Sequence, residues 1–321
     1  MRTIIKHLVL ALSVVVLQAG AYAAFPEKPV RFIVPFPPGG GTDALARILG
    51  AELTKMWGQQ VVVDNRAGAQ GNVGTALAAK TPADGYTLLL AHQGVMAINS
   101  HIYTNPGFNV FSDFLPVTRA TEQPFVLVVH PSLAAHSLKE LTELALKQPG
   151  KLTFASSASG PQMAGEMYKL ASGADLLHVA YKGAGPAVID LLAGHVNLMF
   201  ANPTSAAPHV KTGKLRALAV FGGKRIDVLP DVPTAGEAGY PQFGKNPEWY
   251  GVAVPAGTPA AIVAKLNADI VTALNSADVQ KALRGLGLTP SPTTPEEFAR
   301  QIRTDYDEWG KVVKASGVKA E

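Results

Sequence analysis

The chain has 321 residues, of which 47% are hydrophobic, 16% charged and 7% aromatic, and its formal net charge is +4. This apolar fraction is sufficient for a packed core, so the composition excludes an intrinsically disordered chain. The length predicts about two domains. The absence of cysteine excludes disulfides, thiolate metal sites and cysteine nucleophiles.

The amino-terminal residues predict a secretory signal peptide, residues 1–23. Arg2 and Lys6 form a positively charged start, residues 8–17 are an apolar run, and residues 21–23 (AYA) match a signal-peptidase site. The apolar run is about half the length that a transmembrane span requires. We therefore expect cleavage after Ala23 and a mature protein that is periplasmic and not membrane-anchored.

Short β-branched runs alternate with helical patterns in a first series after the signal peptide. Strands are predicted at 30–34, 61–63 and 86–90, with helices at 44–57 and 75–80 between them. Such alternation is typical of a parallel sheet covered by helices on both faces.

A second series of the same kind begins at Phe125. Its predicted strands are 125–129, 152–155, 177–180, 196–200 and 215–220, and its predicted helices are 138–146, 162–170 and 186–192. The tail from 260 to 314 is predicted to be helical, and Thr294-Pro295 followed by two acidic residues is a typical helix start.

Two such series predict an α/β fold of two lobes, each a mostly parallel sheet flanked by helices, with a ligand cleft between them. Lobe 1 is predicted to contain residues 24–124 and 230–321, and lobe 2 residues 125–229. A proline-rich segment at 229–233 marks the second crossover.

The segment 35–43 (PFPPGGGTD) lies between the first strand and the first helix. Three consecutive glycines allow a ligand to approach the backbone, and free N–H groups at a helix start can bind an anion. Thr42 adds a hydroxyl, whereas Asp43 is acidic and is interpreted as a helix cap or water-holding residue. A plain strand-to-helix turn is the alternative. The spacing matches neither a P-loop nor a dinucleotide-binding fingerprint.

A second loop, 155–162 (ASSASGPQ), joins a strand and a helix of the second series. Its small hydroxyl residues can meet a carboxylate from the opposite side of a cleft, although a serine-rich helix cap is the alternative. The chain has no G-x-S-x-G motif, so Ser157 and Ser159 lack a nucleophile elbow.

The remaining polar residues indicate neither a metal site nor a nucleic-acid surface. The eight histidines lack metal-ligand spacing, and the lysines and arginines form no basic stripe. We expect no cofactor, no metal and no nucleic-acid partner. His92 follows a predicted strand at the place where a cleft would open.

Six segments together resemble the substrate-binding proteins of tripartite tricarboxylate transporters, the Bug receptors, over essentially the whole mature chain. The segments are 35–43 (PFPPGGGTD), 64–74 (DNRAGAQGNVG), 84–89 (DGYTLL), 178–183 (HVAYKG), 208–220 (PHVKTGKLRALAV) and 229–234 (LPDVPT). The resemblance implies a two-lobed fold of the periplasmic binding protein type. It also implies a monomeric, non-enzymatic receptor that closes on a small carboxylate and delivers it to integral-membrane transporter subunits.

The resemblance also implies which residues bind the solute. From the first lobe these are Phe36, Gly40, Gly41, Thr42 and Asp43. From the second lobe they are Ser156, Ser157, Ser159 and Gly160. His92 and Ala180 are expected to line the cleft, and Asn202 to follow the strand that ends at Phe200.

Two departures from the family pattern bear on specificity. The second loop runs from Gly160 directly to Pro161, so it is shorter than the family's and lacks its histidine. Ala201 stands where many relatives have an aspartate that could pair with a ligand amine. We therefore expect a ligand without an ammonium group, such as a di- or tricarboxylate or an aromatic acid.

Two other functions are compatible with parts of the sequence. A ligand-sensing receptor that signals to a sensor kinase would have the same fold and site and differ only in its partner. A secreted hydrolase would need a nucleophile, a base and an orienting group in one place, and the spacing assembles no such set.

Overall fold

The computed structural model describes residues 25–244 and 247–319, and the predicted signal peptide lies outside these residues. The described residues form eleven strands, which make up two sheets. In chain order the strands are β1 (Val30–Val34), β2 (Val61–Asn65), β3 (Thr87–His92), β4 (Phe114–Gln123), β5 (Phe125–Val129), β6 (Leu152–Ser156), β7 (Leu176–Ala180), β8 (Leu198–Ala201), β9 (Arg216–Phe221), β10 (Glu248–Pro255) and β11 (Thr289–Pro290).

Ten α-helices cover the sheets in the described part of the chain. They are α1 (Gly41–Trp57), α2 (Asn72–Ala79), α3 (Asn99–Ile102), α4 (Leu138–Lys147), α5 (Ser159–Ser172), α6 (Ala184–Leu192), α7 (Pro203–Lys211), α8 (Ala260–Asn275), α9 (Ala277–Gly285) and α10 (Pro295–Ser316). Short 3₁₀ turns occupy Ala69–Gly71 and Pro241–Gly244, and a π-helix occupies Gly94–Ile98.

The first sheet has six strands in the order β11-β4-β10-β3-β1-β2. Strand β1 is parallel to β2 and β3, with Phe32 opposite Val63 and Leu88. Strand β10 lies antiparallel between β3 and β4, and β11 is antiparallel to β4. Four of the six strands, β1 to β4, therefore run in one direction, as a mostly parallel sheet requires.

The second sheet has five strands in the order β7-β6-β8-β5-β9. Strand β6 is parallel to β7 and β8, and β5 is antiparallel to both β8 and β9. Only β5 is reversed relative to the other four strands, so this sheet is also mostly parallel. The predicted α/β class and the two sheets flanked by helices are confirmed.

Each sheet is buried on both faces because helices pack on both sides. In the first sheet Phe32 and Leu88 face a core shared with α1, α8 and α9, whereas Ile33 and Leu89 face the side of α10. Alternate residues of one strand thus serve two cores, which explains the continuous apolar runs in the sequence.

The structure extends several predicted elements and adds three strands. Helix α1 begins at Gly41, three residues before the predicted start, and β3 extends to His92. Strands β4, β10 and β11 were not predicted, and β11 lies within the tail that was predicted to be helical. The predicted helical tail consists of α8, α9 and α10, and Thr294 caps α10 in a capping box with Glu297.

The chain crosses between the sheets twice. The first crossover is at Pro124, between β4 and β5. After β9, Val232, Ala235 and Phe243 still pack in the cores of the second sheet. We therefore propose that lobe 2 spans residues 125–244, beyond the boundary at residue 229 expected from the sequence, and that lobe 1 comprises residues 25–124 and 247–319.

Candidate ligand-binding site

A cavity of about 470 Å³, including its open mouth, lies between the two sheets. We call it the inner cavity. Seven residues singled out from the sequence line it: Phe36, Gly40, Gly41, Thr42, His92, Ser157 and Asn202. They come from both sheets, so the fold brings together residues more than 160 positions apart in the chain.

Four helices begin at the wall of the inner cavity. The cap residues of α1, α6 and α7 (Gly40, Gly183 and Asn202) line it, as does Ala158, the cap residue of α5. None of these four helices has a side chain bound to its first N–H groups. Because each helix start also carries a partial positive charge, the cavity concentrates free donors and positive potential.

Three of the six described helices that begin elsewhere differ in this respect. Helices α4, α9 and α10 are capped by the side chains of Ser137, Ser276 and Thr294. Helices α2, α3 and α8 also lack a side-chain cap, but their first residues do not line the inner cavity. What distinguishes the four helix starts at the cavity is that all of them are uncapped and all of them meet in one place, where their donors can bind a ligand.

Asp43 anchors the glycine loop, residues 39–41, but does not itself line the cavity. Its carboxylate accepts hydrogen bonds from the Gly39 N–H (3.0 Å), from Arg47 Nε (3.0 Å) and from Asn65 Nδ2 (3.1 Å). Burial raises the pKa of Asp43, but these hydrogen bonds outweigh burial and hold the pKa below its ordinary value. Asp43 is thus a charged anchor for the loop.

Three other predicted residues, Ser156, Ser159 and Gly160, do not line the inner cavity. Ser156 Oγ is 2.6 Å from His178 Nε2, on the second sheet. Ser159 is fully buried, and its Oγ has no hydrogen-bond partner among the described residues. A Cβ atom at Gly160 would lie 2.8 Å from Glu248 Oε1. A residue with a side chain at this position would therefore clash with the carboxylate.

Ala180 lines a second, larger space of about 1280 Å³, including its open mouth, which we call the outer cavity. Phe36, Pro37 and Ser157 line both cavities, which makes the two spaces neighbours. Lys182 is the one charged residue among those that line the outer cavity in the described part of the chain.

Glu248, the first residue of β10, is a buried carboxylate that the sequence interpretation missed. Its side chain is fully buried, and Oε2 accepts hydrogen bonds from Asn202 Nδ2, from Tyr250 Oη (3.2 Å) and from Gln123 Nε2 (3.4 Å). Burial raises the pKa of Tyr250 well above its ordinary value, and the charge of Glu248 adds to this, so the phenol keeps its proton.

The position of Glu248 corrects one sequence-based argument. Ala201 removes a carboxylate next to Asn202, but Glu248 brings a carboxylate to Asn202 from the other sheet. The exclusion of ligands with an ammonium group therefore no longer follows. No local motif could have revealed this contact, because the two residues are 46 positions apart.

The turn before α6 is a further lining element that the sequence interpretation missed. Residues 183–186 line the inner cavity. Gly183 has a φ of +134°, a backbone angle that residues with a side chain rarely adopt. A Cβ atom at Gly183 would also lie 2.9 Å from Pro37 of the first lobe. The available signal was the segment 178–183 (HVAYKG), which ends at this turn.

Residues 25–244 and 247–319 contain neither a candidate metal site nor a helix suited to cross a membrane. No group of three or more histidine, aspartate or glutamate side chains is arranged to hold a metal ion. None of the helices in these residues combines the length and the apolar character that crossing a membrane requires.

Several known proteins are similar to this chain over most of its length. Protein BugT of Bordetella pertussis is 40% identical over 298 residues, which cover 92% of this chain and 91% of BugT. A structure of an R. palustris protein with adipate has a TM-score of 0.89 and 35% identity, covering 92% of this chain and 99% of the other. MatC from Rhodopseudomonas palustris with bound malate has a TM-score of 0.85 and 32% identity, covering 90% and 100%.

The family described as tripartite tricarboxylate transporter family receptor matches residues 45–318, most of the described chain. The structure of the periplasmic binding protein BugD has a TM-score of 0.86 and 33% identity, covering 92% of this chain and 100% of BugD. With its two-sheet fold and its cavity between the sheets, the chain belongs to the tripartite tricarboxylate transporter family of solute-binding receptors.

Proposed function

We propose that the protein captures a small carboxylate in the inner cavity by closing its two lobes, and delivers it to integral-membrane transporter subunits from the periplasm. The observation that carries this proposal is the convergence of four helix starts without side-chain caps on one cavity. A carboxylate there satisfies several N–H donors at once and lies at the positive ends of the helix dipoles.

Residues of both lobes contribute to the anion site. Helix α1 belongs to the first sheet, whereas α5, α6 and α7 belong to the second. A bound carboxylate therefore bridges the lobes and shifts their equilibrium toward the closed state. Three polar contacts already join the lobes around the cavity: Gln70 to Gln162, Asn202 to Glu248, and Thr204 to Leu286.

The two cavities favour an acid larger than acetate. Adipate and malate in the related structures are dicarboxylates, and the outer cavity offers space for the remainder of such a molecule. Lys182 at its wall is a cation that has no ion-pair partner among the described residues and can attract a second carboxylate. We propose a di- or tricarboxylate or an aromatic acid as the class.

A thermal-shift panel tests this proposal. The mature protein, residues 24–321, is unfolded and refolded to remove any carried ligand, then mixed with mono-, di- and tricarboxylates, aromatic acids and amino acids. A ligand at about 100 times its Kd stabilises the fold by about 2.7 kcal/mol. A rise with one class of acid supports the proposal, whereas a flat panel contradicts it.

Delivery to a transporter has its own test. We expect the ligand-bound protein to bind membrane vesicles that contain the tripartite permease subunits more tightly than the ligand-free protein does. Equal binding of both forms, or binding to a sensor kinase instead, contradicts the transport role while leaving carboxylate capture intact.

A further inference from the structure

The surroundings of Glu248 orient two residues of the inner cavity, Tyr250 and Asn202, so that their oxygens accept hydrogen bonds. We call these two residues the acceptor wall. The groups that face this carboxylate are His92 from β3, Gln123 from β4, Tyr250 from β10, Asn202 before α7 and Gly160 in α5. Within the described residues no lysine or arginine forms an ion pair with Glu248. The wall therefore has a buried acidic group behind it and no cation.

Glu248 fixes the orientation of Tyr250, which lines the cavity. A carboxylate oxygen carries no proton, so the phenol of Tyr250 donates its proton to Glu248 Oε2, which also accepts from the amide groups of Asn202 and Gln123. A phenol has one proton only. The oxygen of Tyr250 can then only accept a hydrogen bond from a ligand.

Asn202 is oriented in the same way. Its Nδ2 donates to Glu248, and its Oδ1 has no hydrogen-bond partner among the described residues. Asn202 lines the inner cavity, so this oxygen is a second acceptor available there. His92 is fixed as well, because its Nδ1 accepts from the Gly94 N–H at 2.9 Å and its Nε2 lies 3.2 Å from Glu248 Oε1.

These acceptors lie next to the anion site. A Cβ atom built on Gly41, the first residue of α1, would be 3.2 Å from Tyr250 Oη. The donors of α1 and the oxygen of Tyr250 are therefore within reach of two groups on neighbouring atoms of one ligand. A second carboxylate beside Tyr250 and Asn202 would be repelled by their acceptor oxygens and by the charge of Glu248. A hydroxyl or ammonium group in the same place would donate a hydrogen bond to them.

We propose that the ligand carries a hydrogen-bond donor, a hydroxyl or an ammonium group, on the carbon next to the carboxylate that the helix starts bind. Glu248 is the positioning residue that imposes this requirement through Tyr250 and Asn202. This inference rests on the proposed function and narrows its ligand class. An acid without the donor leaves Asn202 Oδ1 unpaired in a closed cavity, which is costly.

The test compares acids that differ only at this carbon, by isothermal titration calorimetry. The probes are succinate, malate and aspartate; propionate, lactate and alanine; and 3-phenylpropionate, phenyllactate and phenylalanine. In the series that binds, we expect the hydroxy or amino acid to bind at least about tenfold more tightly than the unsubstituted acid. A tighter amino acid identifies an ammonium ligand, and a tighter hydroxy acid identifies a neutral donor.

Two variants connect this preference to the residues. Glu248→Gln and Tyr250→Phe should each reduce the preference to less than about threefold, while the unsubstituted acid still binds. Glu143→Gln, at an exposed glutamate of α4, is the matched control and should keep the preference. Circular dichroism establishes that each variant is folded, and Tyr250→Phe keeps the inference testable if Glu248→Gln does not fold.

Three results overturn the inference. Equal binding of substituted and unsubstituted acids contradicts the donor requirement but leaves the proposed function standing. A preference that survives in both variants contradicts the role of Glu248. Binding of none of the nine probes, nor of any acid in the wider panel, removes the proposed function and this inference with it.

Discussion

Gly40 is the residue at which a small change should affect the anion site most directly. It lines the inner cavity, and a Cβ atom added to it would meet only Thr42 Oγ1, at 4.0 Å. Gly40→Val therefore fits the fold and places two methyl groups where the ligand lies. We expect carboxylate affinity to fall at least about tenfold, equivalent to about 1.4 kcal/mol, in calorimetric titrations.

Gly285 provides the control for Gly40. It is exposed at the end of α9, and a Cβ atom there would meet no neighbouring atom within 4 Å. Gly285→Val should bind like the unmodified protein. Normal affinity in Gly40→Val would show that the glycine loop does not hold the carboxylate.

His178 should make the stability of the second lobe depend on pH. Burial lowers the pKa of His178 to about 4, and the charge of Lys169 contributes. Between about pH 6.5 and pH 4 the unfolded chain binds a proton that the native protein does not, so stability falls as the pH decreases. We expect a loss of roughly 1–3 kcal/mol over this range, since the ring is partly exposed.

Urea unfolding at pH 7 and pH 4.5 measures this effect. In His178→Gln the difference between the two values should shrink, because the titrating group is absent. His136→Gln, at an exposed histidine, is the control. An unchanged difference in His178→Gln would assign the acid sensitivity to other groups.

At the scale of elements, the helices that begin at the inner cavity lack side-chain caps, so adding a cap should raise stability and lower ligand affinity. Ala158, before α5, has an extended backbone with a φ of −166°, which is suitable for a serine cap. Ala158→Ser should bind the first N–H groups of α5 and stabilise the ligand-free protein by about 0.5–2 kcal/mol. The same hydroxyl competes with the ligand, so carboxylate affinity should fall severalfold.

The contrasting variant is at a helix that does not reach the cavity. Ser276→Ala removes the cap of α9 and should cost about 1 kcal/mol of stability without changing affinity. Thermal unfolding and calorimetry of both variants measure the two effects. Parallel changes of stability and affinity in Ala158→Ser would mean that α5 does not contribute donors to the ligand.

The sequence was sufficient for elements defined by local chemistry. The cap of α10 is encoded by Thr294, Pro295 and Glu297 within four residues, and the structure shows that capping box. The start of helix α1 at Gly41 was not predicted, because glycine has poor helix propensity. Local patterns thus predicted most strands and helices to within a few residues.

The part of the site that the sequence did not predict depends on long-range pairing. Strand β10 is placed by β3 and β4, which are more than 120 residues earlier in the chain, and it carries both Glu248 and Tyr250 into the cavity wall. No periodicity in residues 248–255 specifies these partners. The glycine loop was predictable because its residues are consecutive in the sequence. The acceptor wall was not predictable, because its residues come from distant segments.

At the scale of the whole molecule, Gly94 lies where the two lobes contact each other. A Cβ atom on Gly94, after β3, would lie 2.4 Å from Ser159 Oγ of the other lobe. Gly94→Ala should therefore hold the lobes apart and weaken ligand binding at least about tenfold, while each lobe stays folded. Small-angle X-ray scattering with ligand should show a larger radius of gyration than for the unmodified protein.

Removing the hydroxyl that Gly94→Ala meets should reverse the effect. We expect the double variant Gly94→Ala with Ser159→Ala to recover most of the affinity, since the clashing atom is gone. Ser159→Ala alone should bind almost normally, because Ser159 Oγ has no hydrogen-bond partner among the described residues. Failure of the double variant to recover would attribute the loss to the neighbouring ring of His92.

The position of β10 within the first sheet also bears on the order of assembly. This strand separates β4 from β3, so the first sheet stays divided until residue 255 is available. The five strands of the second sheet come from one continuous stretch, residues 125–221. During synthesis or export from the amino terminus, the second lobe can therefore fold first, and the first lobe closes around its last central strand at the end.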